Sequence, residues 1–473
     1  MPWAGVVLAI CVFAAALQPS AAGAHPFSTG ISGLNEDSPL AFQRVREAGA
    51  RFVRVAVDWS RVAPRNQPDS WQPEDPADRH YDWERPDEDM NAAAAAGLVP
   101  VAMIEEPPSW AQRCRVGPNC DPDPGALAAF ATAAARRYNG LFGGLPRVQY
   151  WQGLNEPNLS IYFNPQFEGD RAVAADLYRS LINGFYAAVK AVDPSNIVIA
   201  AGLGPVAIHG YTIGPMRFTR ELLCMRGRDR FRAGPGDCGG GVHFDIFDIH
   251  PYTTGGPTHT GGVNDVELGD LPKLRALLDA ADKAGRIEGI YPHTPLWVGE
   301  LSWDSNPPDP GGLAIKIETR WAAEAIYRSW LAGVQAFFWF SLRDRAPQPS
   351  LPFNETLQSG LYFRGPTLEQ DQPKKVLYAF RFPFVAFSGK RGLSFWGRTP
   401  TSGEGRVVIQ VWKGEKWRKA VAGEAAAGGV FNGQIPSSYG RTKRGLVRAL
   451  FQGQASVPFS MRPVPDFLQP PFG

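Results

Sequence analysis

Hydrophobic positions along the chain switch repeatedly between a short and a long period. Eight short runs rich in β-branched and aromatic residues stand out: FSTGISG (27–33), FVRVAVDWS (52–60), VPVAMIEE (99–106), RVQYWQGLNEP (147–157), NIVIAAGLG (196–204), FDIFDIHPY (244–252), PLWVGELSW (295–303) and VQAFFWFSL (334–342). Between them lie segments with a helical repeat, such as 38–50, 125–140, 171–193 and 313–333, several of which stop at Gly or run into Asp-Pro. Alternation of this kind predicts a parallel sheet, and eight strand–helix units predict a closed (β/α)8 TIM barrel over residues 25–385. The longer connections follow the fifth, sixth and seventh runs, which puts them on the rim where such barrels carry their chemistry. From residue 386 the pattern changes to short alternating runs such as RVVIQVWKG and LVRALFQ, parted by Gly and Ser. This predicts a small C-terminal β-sandwich over 386–473, ending in a Pro-rich tail.

The first 24 residues read differently. An uncharged apolar run from Ala4 to Leu17 is shorter than the roughly 20 residues that span a bilayer, and it gives way to Pro19 and the small residues Ala22-Gly23-Ala24. A signal peptide cut after Ala24 is expected, with a retained anchor as the alternative. The mature chain would then be secreted, with no further membrane span. It would keep Cys114, Cys120, Cys224 and Cys238, each pair in a Gly-, Pro- and Asp-rich segment without neighbouring histidines. Disulfides 114–120 and 224–238 are expected rather than metal ligation, with free thiols as the alternative.

Charge is uneven. The whole chain has a formal net charge of +2, yet residues 386–473 carry 13 Lys and Arg against 4 Asp and Glu, so an acidic barrel bears a basic tail. That tail could contact an anionic polymer or be a solvated surface with no partner. No phosphate-cradling Gly loop, His-Glu-x-x-His or Gly-x-Ser-x-Gly motif is present, so no cofactor, resident metal or nucleic-acid partner is expected. His243, Asp245, Asp248 and His250 are close in sequence, but along one strand they would point to both faces.

Two glutamates occupy the positions where a barrel keeps catalytic groups. Glu156 ends the fourth run and Glu300 lies near the end of the seventh, on strands that face one another across the mouth. Splitting a glycosidic bond needs one carboxyl group to protonate the leaving oxygen and a second to act as nucleophile or base. WQGLNEPN (151–158) resembles the Asn-Glu-Pro signature of glycoside hydrolase clan A, and WVGELSW (297–303) resembles that clan's nucleophile segment. The resemblance covers roughly residues 27–385 and extends to cellulase-like and β-xylosidase/iduronidase-like members.

What this resemblance implies is a retaining glycosidase with a carbohydrate substrate. Glu156 would be acid/base, Glu300 nucleophile, and Asn155 would bind the sugar 2-hydroxyl. Arg54 would orient and ionise the nucleophile, and His250 and Tyr252, in HPY, would match the clan's His-x-Tyr pair. Trp339 would be the aromatic platform under the sugar, with Trp303 beside it. Retaining sites hold their carboxyl groups about 5–5.5 Å apart, against about 6.5–9.5 Å for inverting ones. A non-catalytic glycan-binding barrel and a transglycosylase using the same carboxylates are the competing readings.

Overall fold

The computed structural model describes residues 27–34, 38–235, 240–347, 357–389, 392–436 and 445–462. The signal-peptide cleavage site expected after Ala24 and the cysteine at 238 lie outside these residues. Eight strands form a closed parallel barrel: β1 (Ser28–Ser32), β2 (Phe52–Asp58), β3 (Val99–Glu105), β4 (Tyr150–Gly153), β5 (Ile197–Leu203), β6 (Ile246–Ile249), β7 (Leu296–Leu301) and β8 (Val334–Phe340). Sequence neighbours pair all the way round, and β8 closes on β1 with Ser28 opposite Ala336 and Ser32 opposite Phe340. The expected (β/α)8 TIM barrel is the observed fold.

The crossover helices begin where their sequences say they should. Ser38 caps α1 (Pro39–Glu47) by accepting from Leu40 N, and Asp123 caps α2 (Pro124–Arg137) by accepting from Ala126 N at 2.8 Å, each with Pro in the first turn. The longest, α3 (Ala174–Val192), buries Tyr178, Leu181, Ile182, Phe185 and Val189, a stripe at helical spacing laid against the barrel. The Tyr178 hydroxyl donates to Gly153 O at 3.2 Å and accepts from Ala201 N at 2.8 Å, tying that helix to the ends of β4 and β5.

Inside the barrel, side chains at every second position fill the floor. Phe52, Tyr150, Trp297 and Phe338 meet there with ring centroids 5.0–6.0 Å apart, together with Val101, Ile197, Ile199, Ile246 and Ala336. This apolar plug fills the barrel beneath the mouth formed by the C-terminal ends of the strands.

The C-terminal region holds two antiparallel sheets. One orders β9 (Phe384–Gly389), β10 (Gly392–Arg398) and β13 (Val430–Pro436); the other orders β12 (Lys416–Ala425), β11 (Gly405–Lys413) and β14 (Leu446–Phe451), with short strands beyond. Trp396 of β10 docks the first sheet onto the barrel, its ring 5.5–6.3 Å from those of Phe27, Tyr327 and Trp330. Tyr327 and Trp330 belong to α4 (Ile315–Leu331), the helix before β8. Cys114 and Cys120 form a disulfide, and Cys224 is disulfide-bonded too. Among the described residues no helix is long and apolar enough to cross a membrane.

Candidate active site

A polar layer sits directly above the aromatic floor. Alternation along β2 and β6 turns Arg54, two residues after Phe52, and Asp248, two after Ile246, toward the barrel axis. Asp248 is almost fully buried and accepts from Gln152 Nε2 of β4 at 2.9 Å. An alanine Cβ at Gly299 would sit 2.2 Å from Asp248 Oδ2, so only glycine leaves room for this carboxylate.

Glu300 breaks the simple alternation. Val298 pairs with Phe337 and Leu301 with Trp339, leaving two residues of β7, Gly299 and Glu300, opposite Phe338 alone. This bulge turns Glu300 inward to the mouth, where strict alternation from Trp297 would have sent it outward. Glu156 arrives by another irregularity: Leu154 and Glu156 both have positive φ, 65° and 43°, conformations that side chains adopt only under constraint. The constraint is visible. Leu154 N donates to Ile104 O and Glu156 N to Gly202 O at 2.8 and 3.1 Å. Buried Asn158 then fastens the segment after β4 to that after β5, donating to Gly204 O and Ile213 O and accepting from Gly204 N.

The two carboxylates have different partners. Glu300 pairs with the Arg54 guanidinium through Oε1 and accepts from the Tyr252 hydroxyl through Oε2 at 2.9 Å. Burial, then the neighbouring Glu156 charge, pushes the Tyr252 pKa well up, so it stays a phenol and a donor. Glu156 faces His250, whose Nδ1 lies 2.8 Å from Glu156 Oε1. In the neutral ring Nε2 accepts from Arg54 Nη1 at 3.2 Å, since a guanidinium can only donate, which places the hydrogen on Nδ1 toward Glu156. Burial opposes charge on this ring, but hydrogen bonds with Asp248 and Glu156 outweigh it and hold the His250 pKa above its ordinary value. Glu156, His250 and Glu300 each present an atom within 4.8 Å of the others. Donors already engage both oxygens of Glu300, which fits a carboxylate held ready for carbon better than a cation ligand.

A cavity of about 1320 Å³ opens over this group. Asn155 lines it, with its buried Oδ1 lacking a hydrogen-bond partner among the described residues. Asp58, Glu105 and Glu106 form an acidic wall at the ends of β2 and β3, with Tyr162 and Phe340 elsewhere on the lining. Burial raises the Glu105 pKa to about 7; Arg54 works against the rise, and Glu106 and Asp58 add to it.

Six of the eight residues singled out from the sequence, Arg54, Asn155, Glu156, His250, Tyr252 and Glu300, thus surround one point at the mouth. Trp303 and Trp339 do not. Both are fully buried, donating their indole N–H groups to Gly255 O and Ser359 O at 3.1 and 2.8 Å, and their rings pack on one another 6.4 Å apart outside the cavity. The reason is parity: Phe338 faces the barrel axis, so Trp339 faces the helices, and the aromatic side chain that β8 gives to the cavity wall is Phe340. Counting by twos from the floor residue would have found Phe340. Of the group His243, Asp245, Asp248 and His250, Asp248 and His250 turn to the site, and His243 and Asp245 point elsewhere. Asp245 binds Val198 N, Ile290 N and Lys190 Nζ at 2.8–3.0 Å, and His243 sits 3.6 Å from Glu288.

No protein-family model matches the sequence, and no curated protein matches it. Solved structures do. A family 39 glycoside hydrolase from the gut symbiont Bacteroides cellulosilyticus WH2 superposes with TM-score 0.54 at 17% identity, over 87% of this chain and 80% of that one. A glucosidase from Croceicoccus marinus superposes with TM-score 0.51 at 15% identity, over 87% of this chain and 93% of that one. At these identities the likeness is one of fold, an eight-stranded parallel barrel.

Proposed function

We propose that the protein is a secreted retaining glycoside hydrolase that cleaves O-glycosidic bonds of a poly- or oligosaccharide, with Glu300 as nucleophile and Glu156 as acid/base. One observation carries this reading: an oxygen of Glu156 and one of Glu300 lie within 4.8 Å of each other at the head of the same cavity. That spacing lies on the side of the about 5–5.5 Å of retaining sites rather than the about 6.5–9.5 Å of inverting ones.

In the first step Glu300 attacks the anomeric carbon while Glu156 gives its proton to the departing glycosidic oxygen; the C–O bond to the leaving group breaks as the glycosyl ester forms. In the second, Glu156 takes a proton from water, the resulting hydroxide attacks the same carbon, and Glu300 leaves as a carboxylate. Arg54 and Tyr252 fix both oxygens of Glu300 and favour its ionised form. His250 holds Glu156 through Nδ1, and the Asp248 carboxylate, 3.5 Å from Nε2, favours the charged form of the ring. Asn155 lines the cavity beside Glu156, where its side-chain amide would meet a sugar hydroxyl. The disulfide between Cys114 and Cys120 agrees with an oxidising compartment and so with secretion.

Glu300→Gly supplies the test. It should abolish turnover of an aryl glycoside, and added azide should restore it with a glycosyl azide as product. Hydrolysis persisting in Glu300→Gly would end the proposal. A panel of polysaccharides and aryl glycosides, with products read by mass spectrometry, identifies the sugar and whether cleavage is internal or terminal.

A further inference from the structure

Far along the chain from the cavity, the second C-terminal sheet displays a feature that the barrel chemistry does not use. β11 and β12 are joined by a two-residue turn, Gly414-Glu415, with both φ values positive (56° and 60°), the geometry of a tight type I′ hairpin. This turn fixes the register so that Trp412 stands opposite Trp417. Their rings meet edge to face, centroids 5.2 Å apart, and Trp412 is still 43% exposed, the one exposed tryptophan among the described residues. Opposite residues of an antiparallel pair share a face. Gln410 pairs with both Lys419 and Arg448, so these side chains lie on the tryptophan face. Arg448 bonds Gln410 Oε1 at 2.8 Å and stacks its guanidinium 4.2 Å over the Trp417 ring. Lys413 and Lys416 add two exposed charges at the hairpin tip. None of the five cations at 413, 416, 418, 419 and 448 forms an ion pair among the described residues.

We propose that this hairpin face is a second carbohydrate site, one that binds an anionic polysaccharide by stacking a sugar ring on Trp412 while Lys419 and Arg448 meet its carboxylate or sulfate groups. Charge complementarity identifies the occupant. Residues 386–473 carry 13 basic against 4 acidic side chains, a surface that attracts polyanions. The aromatic pair narrows the choice further. A lipid surface wants several large apolar side chains on one face, whereas this face offers one open ring beside Gln410 and cations. A flat, partly exposed indole suits a sugar, whose axial C–H groups pack on a ring while its hydroxyls stay solvated. The site would hold the enzyme on its polymer without touching the reacting bond.

Full-length protein in native gels cast with polygalacturonate, or with a neutral β-glucan as control, tests this. Retardation is expected in the polygalacturonate gel alone and should fade as salt rises, because exposed charges are screened. Trp412→Ala should weaken binding about tenfold or more, the usual loss of a stacked aromatic anchor, and Lys419→Gln should weaken it less. Turnover of a small soluble substrate should be the same in wild type and both variants, which also shows that they fold. Equal mobility of wild type in both gels would overturn the proposal, as would retardation that Trp412→Ala leaves intact. Tryptophan-dependent capture by DNA or by anionic lipid vesicles, without capture by polygalacturonate, would overturn the carbohydrate assignment. Since binding is read without turnover, a catalytically silent barrel would leave the result interpretable.

Discussion

Glu318→Gln should make the protein more resistant to unfolding at pH 8 and leave it nearly unchanged at pH 5. Glu318 lies in the first turn of α4, fully buried, with neither carboxyl oxygen bonded among the described residues. Lys374 is close enough to matter but is already committed: its ammonium donates to Asp344 Oδ1, Ser305 Oγ and Gln358 O at 2.6, 2.8 and 2.9 Å, which uses all three of its hydrogens. Burial therefore raises the Glu318 pKa to about 8; Lys374 works against the rise, and Asp344 and Asp304 add to it. In the unfolded chain the same group ionises near pH 4.3. Between these values the folded state holds a proton that the unfolded state lacks, so stability is intact below the unfolded pKa and falls as pH rises toward the folded one. Each pH unit in that window costs about 1.4 kcal/mol, or about 4 kcal/mol from pH 5 to pH 8 at the upper limit. Gln keeps the shape and removes the titration. Asp304, raised to about 8 by burial and then by Asp309, keeps its own share of the slope in the variant. Melting temperatures at pH 5, 6, 7 and 8 should fall more steeply for wild type than for Glu318→Gln. Parallel curves, or a variant less stable at pH 8, would refute the reasoning.

Tyr252→Phe removes a donor 2.9 Å from Glu300 without changing the packing, and a hydrogen bond to a charged group is worth about 1.5–3 kcal/mol, so kcat/KM should drop about ten- to hundredfold with the melting temperature preserved. Wild-type kinetics in that variant would remove Tyr252 from the site. Gly299→Ala places a Cβ 2.2 Å from Asp248 Oδ2, and the forced shift should cost about 1–3 kcal/mol of stability and depress activity further, as seen by comparing thermal melts with turnover per folded molecule. Phe340→Ala and Trp339→Phe should separate cleanly. The first should raise KM about tenfold at near-normal stability, consistent with loss of a ring from the cavity wall. The second should lower the melting temperature through the lost indole bond to Ser359 O and the lost volume, with KM unmoved.

Much of the barrel was legible because its signals are local and repeated. Each strand is a short β-branched run, several helices open at a capping residue or Pro, and eight such units in order admit few arrangements. The C-terminal change to alternating runs was legible for the same reason. The acid/base and nucleophile candidates were readable because short motifs sat on the right runs, whereas Arg54, inside β2, and Tyr252 came in only through the family resemblance. What sequence could not show was which of two adjacent aromatic residues faces inward. Trp339 and Phe340 differ only in parity, and parity is set by the floor residue Phe338, whose partners Phe52 and Trp297 come from distant strands.

The bulge on β7 shows why parity alone would have misled at the other critical position. Counting by twos from Trp297 reaches Gly299 and Leu301 and leaves Glu300 facing the helices. The extra residue opposite Phe338 puts both Gly299 and Glu300 on the inner side. The two residues then serve one arrangement. Gly299, lacking a Cβ, admits the Asp248 carboxylate beneath, and Asp248 supports His250 against Glu156, while Glu300 rises beside it to Arg54 and Tyr252. A single inserted residue therefore does two jobs: it aims one carboxylate at the cavity and opens the space for the buried group that steadies the other. That coupling predicts that removing the bulge, by deleting Gly299, would disorder both carboxylates together rather than Glu300 alone. Loss of glycosidase turnover that azide cannot rescue would then distinguish it from Glu300→Gly.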